Sequence, residues 1–186
     1  KPIDLERFDH YTEVILERAR EEVGPLYTTL HISPDEEATN AQVLYYFWVR
    51  EATCEKCEQK VTLHSRTNLN RGLKRGTEIG SDDPATTVCL NCGELGGWSG
   101  RGEYVCENCG VVSDPSYRNY SSGKFKHCDR EQTVLNSVKK FGKLGERLIA
   151  VEYLHPMTGK RIYKAPDEED YALIERCKEL VSTTRE

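Results

Sequence analysis

Two tetrapeptides of the form C-x-x-C, each followed at once by glycine, constrain this chain more than any other feature: Cys89-Leu90-Asn91-Cys92-Gly93 and Cys106-Glu107-Asn108-Cys109-Gly110. Thiolates at this spacing close on one metal ion because the turn between them aims backbone amides at the sulfurs. The trailing glycine supplies the positive φ that such a turn needs. Two such turns complete a tetrahedral site, so the spacing predicts a zinc ribbon in which Cys89, Cys92, Cys106 and Cys109 hold a structural Zn²⁺. A disulfide pair or a redox C-x-x-C does not explain two matched turns each closed by glycine. The segment between them, Glu94 to Val105, is rich in glycine and reads as a loose hairpin whose return strand delivers the second turn.

A second site is suggested by Cys54-Glu55-Lys56-Cys57 together with Lys124-Phe125-Lys126-His127-Cys128, which looks like a third and fourth turn, the last reduced to one cysteine. Glu131 stands where that turn's second cysteine is expected. Cys54, Cys57 and Cys128 with an imidazole, His127 or else His64, would form a Cys₃His set folded around the inner ribbon as an outer clasp, giving one or two Zn²⁺ per chain. Adjacent His and Cys side chains in extended backbone point to opposite faces, so His127 and Cys128 can share a metal only where the chain turns. Cys177 falls on the apolar side of a C-terminal helix and reads as core.

Six of the eight cysteines lie in C-x-x-C pairs, which suits a reducing interior better than an oxidised secreted scaffold. No apolar run approaches the roughly 20 residues that span a bilayer. The start, Lys1-Pro2-Ile3-Asp4, has neither an initiator methionine nor a signal-peptide pattern. The expectation is a cytoplasmic location without membrane contact, and a chain that is a piece of something longer.

The net charge of −5 is unevenly spread: residues 1 to 58 carry 6 basic and 13 acidic groups, 59 to 147 carry 14 and 10, and 148 to 186 carry 6 and 8. The basic middle permits nucleic-acid contact without demanding it, and on charge alone a solvated mixed-charge surface is the better explanation. Its densest part, Ser65 to Gly76, offers Arg66, Arg71, Lys74 and Arg75 with several amide and hydroxyl donors and no acid. With Arg118, Lys124 and Lys126 these are the candidate DNA-binding side chains.

The expected class is α+β, with a central zinc ribbon, flanking helices, and a C-terminal β-hairpin followed by a helix. We divide it into an N-terminal helical segment (1–42), a zinc-binding module (43–130) with the inner ribbon at 86–113, and the C-terminal hairpin and helix (131–186). Apolar residues at Leu5, Phe8, Ile15, Leu16, Ala19 and Val23 predict an amphipathic helix stopped at Gly24-Pro25. Ser33-Pro34-Asp35-Glu36 reads as a helix start, with a short helix to follow. Val43-Leu-Tyr-Tyr-Phe-Trp-Val49 reads as a buried strand that delivers Cys54. A base-stacking platform would instead need alternate residues to face solvent. Leu148–Leu154 and Arg161–Lys164 read as a hairpin about His155-Pro-Met-Thr-Gly159. Pro166-Asp167 opens a helix with acids at the positive end of its dipole.

The ribbon, V-C-L-N-C-G through G-E-Y-V-C-E-N-C-G-V-V, resembles the N-terminal zinc ribbon of transcription initiation factor B over about 25 residues, without the helical repeats that follow it in that family. From about residue 40 onward the layout is similar to a region of large prokaryotic adenine-specific DNA methyltransferases. There a strand like Tyr45-Tyr-Phe-Trp-Val-Arg50 enters a C-x-x-C knuckle, and a segment like Arg161-Ile-Tyr-Lys-Ala-Pro-Asp167 with Asp170 opens a helix. The catalytic Asp/Asn-Pro-Pro-Tyr of such enzymes is missing; Asp114-Pro115-Ser116-Tyr117 comes nearest and lacks the second proline. No catalytic residue is assigned. The resemblance implies a non-catalytic zinc module that assists DNA binding or target recognition beside a methyltransferase domain or other protein partner, with a protein-docking ribbon as the alternative.

Overall fold

The computed structural model describes residues 4–33, 36–69, 85–99, 102–115 and 118–183. Helix α1 (Leu5–Val23) begins where the Asp4 carboxylate accepts the Arg7 amide and ends at Gly24. Strand β1 (Thr28–Ser33) then pairs antiparallel with the long β2 (Glu36–Thr53), Thr28 opposite Gln42 and His31 opposite Thr39. The helix expected after Ser33 is therefore a strand. Its start signal was local, whereas residues 36–42 have a partner strand whose ladder satisfies their backbone groups.

Four hairpins follow a single plan. β2 pairs with β3 (Lys60–Thr62), with Thr53 opposite Lys60. β4 (Ala85–Val88) pairs with β5 (Leu95–Trp98), Val88 opposite Leu95. β6 (Tyr104–Val105) pairs with β7 (Val112–Ser113), Val105 opposite Val112. In each of these three, a C-x-x-C turn fills the six positions between the paired residues. The single hairpin expected over 94–105 is thus two separate hairpins, each carrying its own pair of cysteines at its tip. Then come β8 (Tyr120–Ser121), β9 (Lys124–His127), β10 (Arg130–Thr133) and helix α2 (Val134–Phe141), capped by the Thr133 hydroxyl. The fourth hairpin joins β11 (Gly145–Leu154) to β12 (Arg161–Lys164), and α3 (Glu168–Thr183) ends the described chain. Helices and antiparallel sheets together make the class α+β. Sheet order is β1-β2-β11-β12 with β3 on β2, and β10-β9-β8 form a smaller sheet.

The turn between β11 and β12 copies the cysteine turns without cysteine. His155 N–H donates to Lys160 O and Gly159 N–H to His155 O, as Cys89 N–H does to Glu94 O and Gly93 N–H to Cys89 O. The His155 Nδ1 accepts the Met157 and Thr158 amides.

Two compact units divide the chain. One comprises 1–45, 152–162 and 167–186; the other comprises 46–151 and 163–166. In the first, the buried Asp170 carboxylate accepts the Thr29 hydroxyl at 2.6 Å and the Asp167 amide at 3.1 Å. Asp167 in turn accepts the Asp170 amide. The acid at the start of α3 is therefore a helix cap tied to β1. The apolar stripe of α1 stays exposed among the described residues, including Leu5, Phe8 and Ile15.

Two small cores lie among the described residues of the second unit. One packs Ala52, Cys54, Val61, Leu63 and Phe125 with Tyr120, Val134 and Leu144; the other packs Cys89, Tyr104 and Cys106 with Trp98. A methyl group at Gly96 would collide with the Tyr104 ring, which closes over that strand. The aromatic run in β2 is a strand, but not a buried one: Tyr45 is 57% and Trp48 43% exposed.

Phe125 is the largest fully buried side chain. Phe125→Ala is expected to lower unfolding free energy by about 3–5 kcal/mol, while Leu135→Ala, at an exposed position of α2, stays within about 0.5 kcal/mol. Urea titration of the two variants measures both.

Candidate metal centre

Each cysteine turn directs backbone amides at its first sulfur. The Cys54 sulfur accepts the Cys57 and Lys56 amides, the Cys89 sulfur those of Cys92 and Asn91, and the Cys106 sulfur those of Cys109 and Asn108. The residue that closes the turn has positive φ in all three: Gly93 at 83°, Gly110 at 70° and Glu58 at 60°. Its N–H donates to the carbonyl of the first cysteine at 2.8–2.9 Å. Glu58 thus stands where the other turns have glycine, at the same offset from its cysteines.

Cys89, Cys92, Cys106 and Cys109 converge so that all four sulfurs lie within 4.8 Å of one another. Cys89 to Cys109 and Cys92 to Cys106 are each 3.6 Å apart. A metal ion about 2.3 Å from four tetrahedral sulfurs sets them about 3.8 Å apart, whereas a disulfide needs about 2.05 Å. The eight cysteines are free thiols.

The second group is Cys54, Cys57, His127 and Cys128, also within 4.8 Å. His127 Nδ1 lies 3.6 Å from the Cys57 sulfur and 3.3 Å from that of Cys128. Neighbours in sequence reach one point because Cys128 and Asp129 both take positive φ, 51° and 58°, in the two-residue turn between β9 and β10. His64 is elsewhere: it is buried and its backbone N–H donates to Asn119. Glu131 does not approach the cluster and instead forms a 2.8 Å ion pair with Lys124. Cys177 is half-buried on α3, outside both groups.

The electrostatics are those of sites awaiting a cation. Burial pushes the Cys54 thiol up, but hydrogen bonds from the Cys57 amide and the Gln132 carboxamide bring it down to about 5. The Cys109 amide holds Cys106 down to about 6. Their neighbours go the other way. Burial raises Cys89 to about 11, and hydrogen bonding with Cys57 raises Cys128 to about 11. Cys109 is lowered as well, by the Val111 amide, so each group combines at least one thiol held down with one held up. Full ionisation needs a bound cation, because like charges this close oppose one another.

Gln132 was not visible in the sequence as part of the site. Its side-chain amide donates to the Cys54 sulfur at 3.2 Å while its carbonyl accepts the Glu55 amide at 2.7 Å. No spacing rule marks an amide there. The special role of Glu58 could have been found, since its place after the second cysteine matches that of the two glycines.

Of the basic candidates, Arg66 and Arg118 are exposed and line one pocket with Asn68, Trp98 and Pro115. Lys124 is engaged by Glu131, and Lys126 is exposed on the same strand. Arg71, Lys74 and Arg75 lie outside the described residues. Comparison of the chain with known protein families, with curated proteins and with solved structures finds no match.

Native mass spectrometry is expected to count two divalent metal ions per chain, one lost in Cys106→Ser and the other in Cys128→Ser, with Cys177→Ser retaining both. Metal entry expels the remaining thiol protons, so affinity falls as pH falls; a chelator should strip the ions more readily at pH about 5 than at pH about 8. Glu58→Gly is expected to raise stability by about 1 kcal/mol by removing the side-chain cost of a left-handed position. Thermal melting of the metal-loaded protein reads this out.

Proposed function

We propose that this chain is a non-catalytic zinc-binding module of a DNA methyltransferase-like protein, in which two structural Zn²⁺ ions brace a surface that assists DNA binding or target recognition. The observation that carries the zinc assignment is the pair of closed, thiolate-rich, four-ligand groups. Soft sulfur ligands select zinc over magnesium or calcium. A set with four protein ligands leaves no open position for a reacting water, which is the structural pattern.

DNA is supported by the two guanidinium groups of Arg66 and Arg118 on one pocket beside an indole, with no carboxylate partner for either among the described residues. Phosphate contacts release counterions, so affinity depends steeply on salt. The test is an anisotropy titration of the zinc-loaded chain on a short duplex between about 50 and 200 mM salt. Affinity is expected to fall by an order of magnitude or more. Arg66→Ala with Arg118→Ala should flatten the slope by roughly two units, about one per contact, and weaken all sequences alike.

A protein-docking ribbon is the second reading, favoured by one observation: Val105, Val111 and Val112 are exposed on the second hairpin of the ribbon. Absence of binding to duplex and to single-stranded DNA alike at low salt, with both zinc ions in place, would remove DNA and leave docking as the better account.

A further inference from the structure

The chain has two tryptophans, and each lines a pocket of the second unit. Trp48, with Arg50, His64, Arg66 and Tyr120, borders a space of about 310 Å³. Trp98, with Asn68, Arg118 and again Arg66, borders one of about 240 Å³. Arg66 lines both, so the two pockets flank one cationic side chain.

The backbone around Arg66 is held on both sides. Leu63 N–H donates to Arg50 O, and His64 is tied at its N–H to Asn119 Oδ1 and at its carbonyl to the Tyr120 amide. On the other side Thr67 donates its hydroxyl to Pro115 O and accepts the Val88 amide at its carbonyl, while Leu69 N–H donates to Thr86 O. A fixed backbone under an exposed cation is preorganised for a ligand, because little ordering remains to be done on binding. The indole of Trp98 is fixed as well: its N–H donates to Gly102 O and its ring packs on the ribbon core.

The charges divide between the pockets. Arg50 is paired with Glu146, whereas Arg66 and Arg118 have no carboxylate partner among the described residues. In the wall of the larger pocket, His64 is 3% exposed and its Nδ1 has no hydrogen-bond partner among the described residues. Burial, with the charge of Arg147, holds its pKa down to about 4, so the ring is neutral and can accept a hydrogen bond.

Two aromatic-lined recesses joined by one unpaired cation match the repeat of a nucleic-acid strand: base, phosphate, base. Each volume sits at or below the lower end of the roughly 300–1,000 Å³ range of small-molecule pockets, enough for one base and too little for a base pair. Bases in a duplex are stacked on each other and cannot enter; unpaired ones can stack on an indole. We propose that the two pockets take two successive unpaired nucleotides, the bases against Trp48 and Trp98 and the intervening phosphate on Arg66. This rests on the nucleic-acid reading above and names the form of nucleic acid the surface takes.

The metal-loaded chain is titrated with a labelled short oligothymidylate, with an oligouridylate of equal length, and with a duplex of that length. Because Trp48 and Trp98 are the only tryptophans, quenching of intrinsic fluorescence reports on these two pockets alone. The expected result is tighter binding of a single strand than of the duplex, with quenching. Trp48→Ala should weaken it about five- to 150-fold, the range of one base stack, and Arg66→Ala should weaken it while lowering the salt slope by about one unit. Arg118→Ala, at an exposed position, probes the smaller pocket without disturbing the ribbon core that Trp98 supports. Retention of both metal ions by each variant shows that it is folded. Preference for either oligonucleotide supports the site, and an oligodeoxyuridylate of the same length, which differs from the oligouridylate only in the 2′-hydroxyl, assigns its sugar. Duplex binding without single-strand binding, or single-strand binding indifferent to Arg66→Ala and Trp48→Ala, overturns this proposal and leaves the duplex reading standing. Failure of all three ligands to bind removes both.

Discussion

The second unit depends on the approach of thiol groups that repel one another once ionised. Its two cores are small, and cysteine sulfur lies inside each: Cys54 among Ala52, Val61, Leu63 and Phe125, and Cys89 and Cys106 against Tyr104. Buried apolar area of that extent gives little stability by itself. A cation shared by four ligands reverses the repulsion and converts it into the strongest local attraction available to the chain.

The outer cluster reaches furthest in sequence, from Cys54 to Cys128, and the chain between them includes the whole inner ribbon. Closing so long a loop is only modestly more costly than closing a short one, since the entropy grows with the logarithm of length. Supporting bonds reinforce the same closure. Ser137 on α2 both receives the Thr53 amide and donates to the Thr53 carbonyl, and Gln132 bridges the Cys54 sulfur and the Glu55 amide. Residues more than 70 positions apart are thus held by polar contacts as well as by the cysteines.

Features whose cause is local were legible in the sequence. The C-x-x-C turns, the stop of α1 at Gly24-Pro25 and the acids opening α3 each depend on a few adjacent residues. Features decided by a distant partner were not. Ser33-Pro34-Asp35-Glu36 carries a genuine helix-start pattern, yet β1 outbids it by pairing with residues 36–42. The glycines between the two ribbon knuckles suggested one hairpin, whereas β4 and β7 each claim a strand from that segment. Exposure of Tyr45 and Trp48 depends on which layers cover β2, which no property of those residues reveals. The pairing of His127 with Cys128 was legible only as a condition, that the chain must turn there. The turn itself comes from two left-handed residues, neither of them glycine.

The turn at His155 separates two things that the cysteine knuckles combine. It has the same closing bonds, the same left-handed glycine at Gly159, and two amides directed at one acceptor, with an imidazole nitrogen in the place of sulfur. The backbone bonds of a knuckle therefore close around an imidazole acceptor as they do around sulfur. In the three cysteine turns, an ion would join loops whose backbone bonds are of this common kind, so its exchange would bear on which loops are held together.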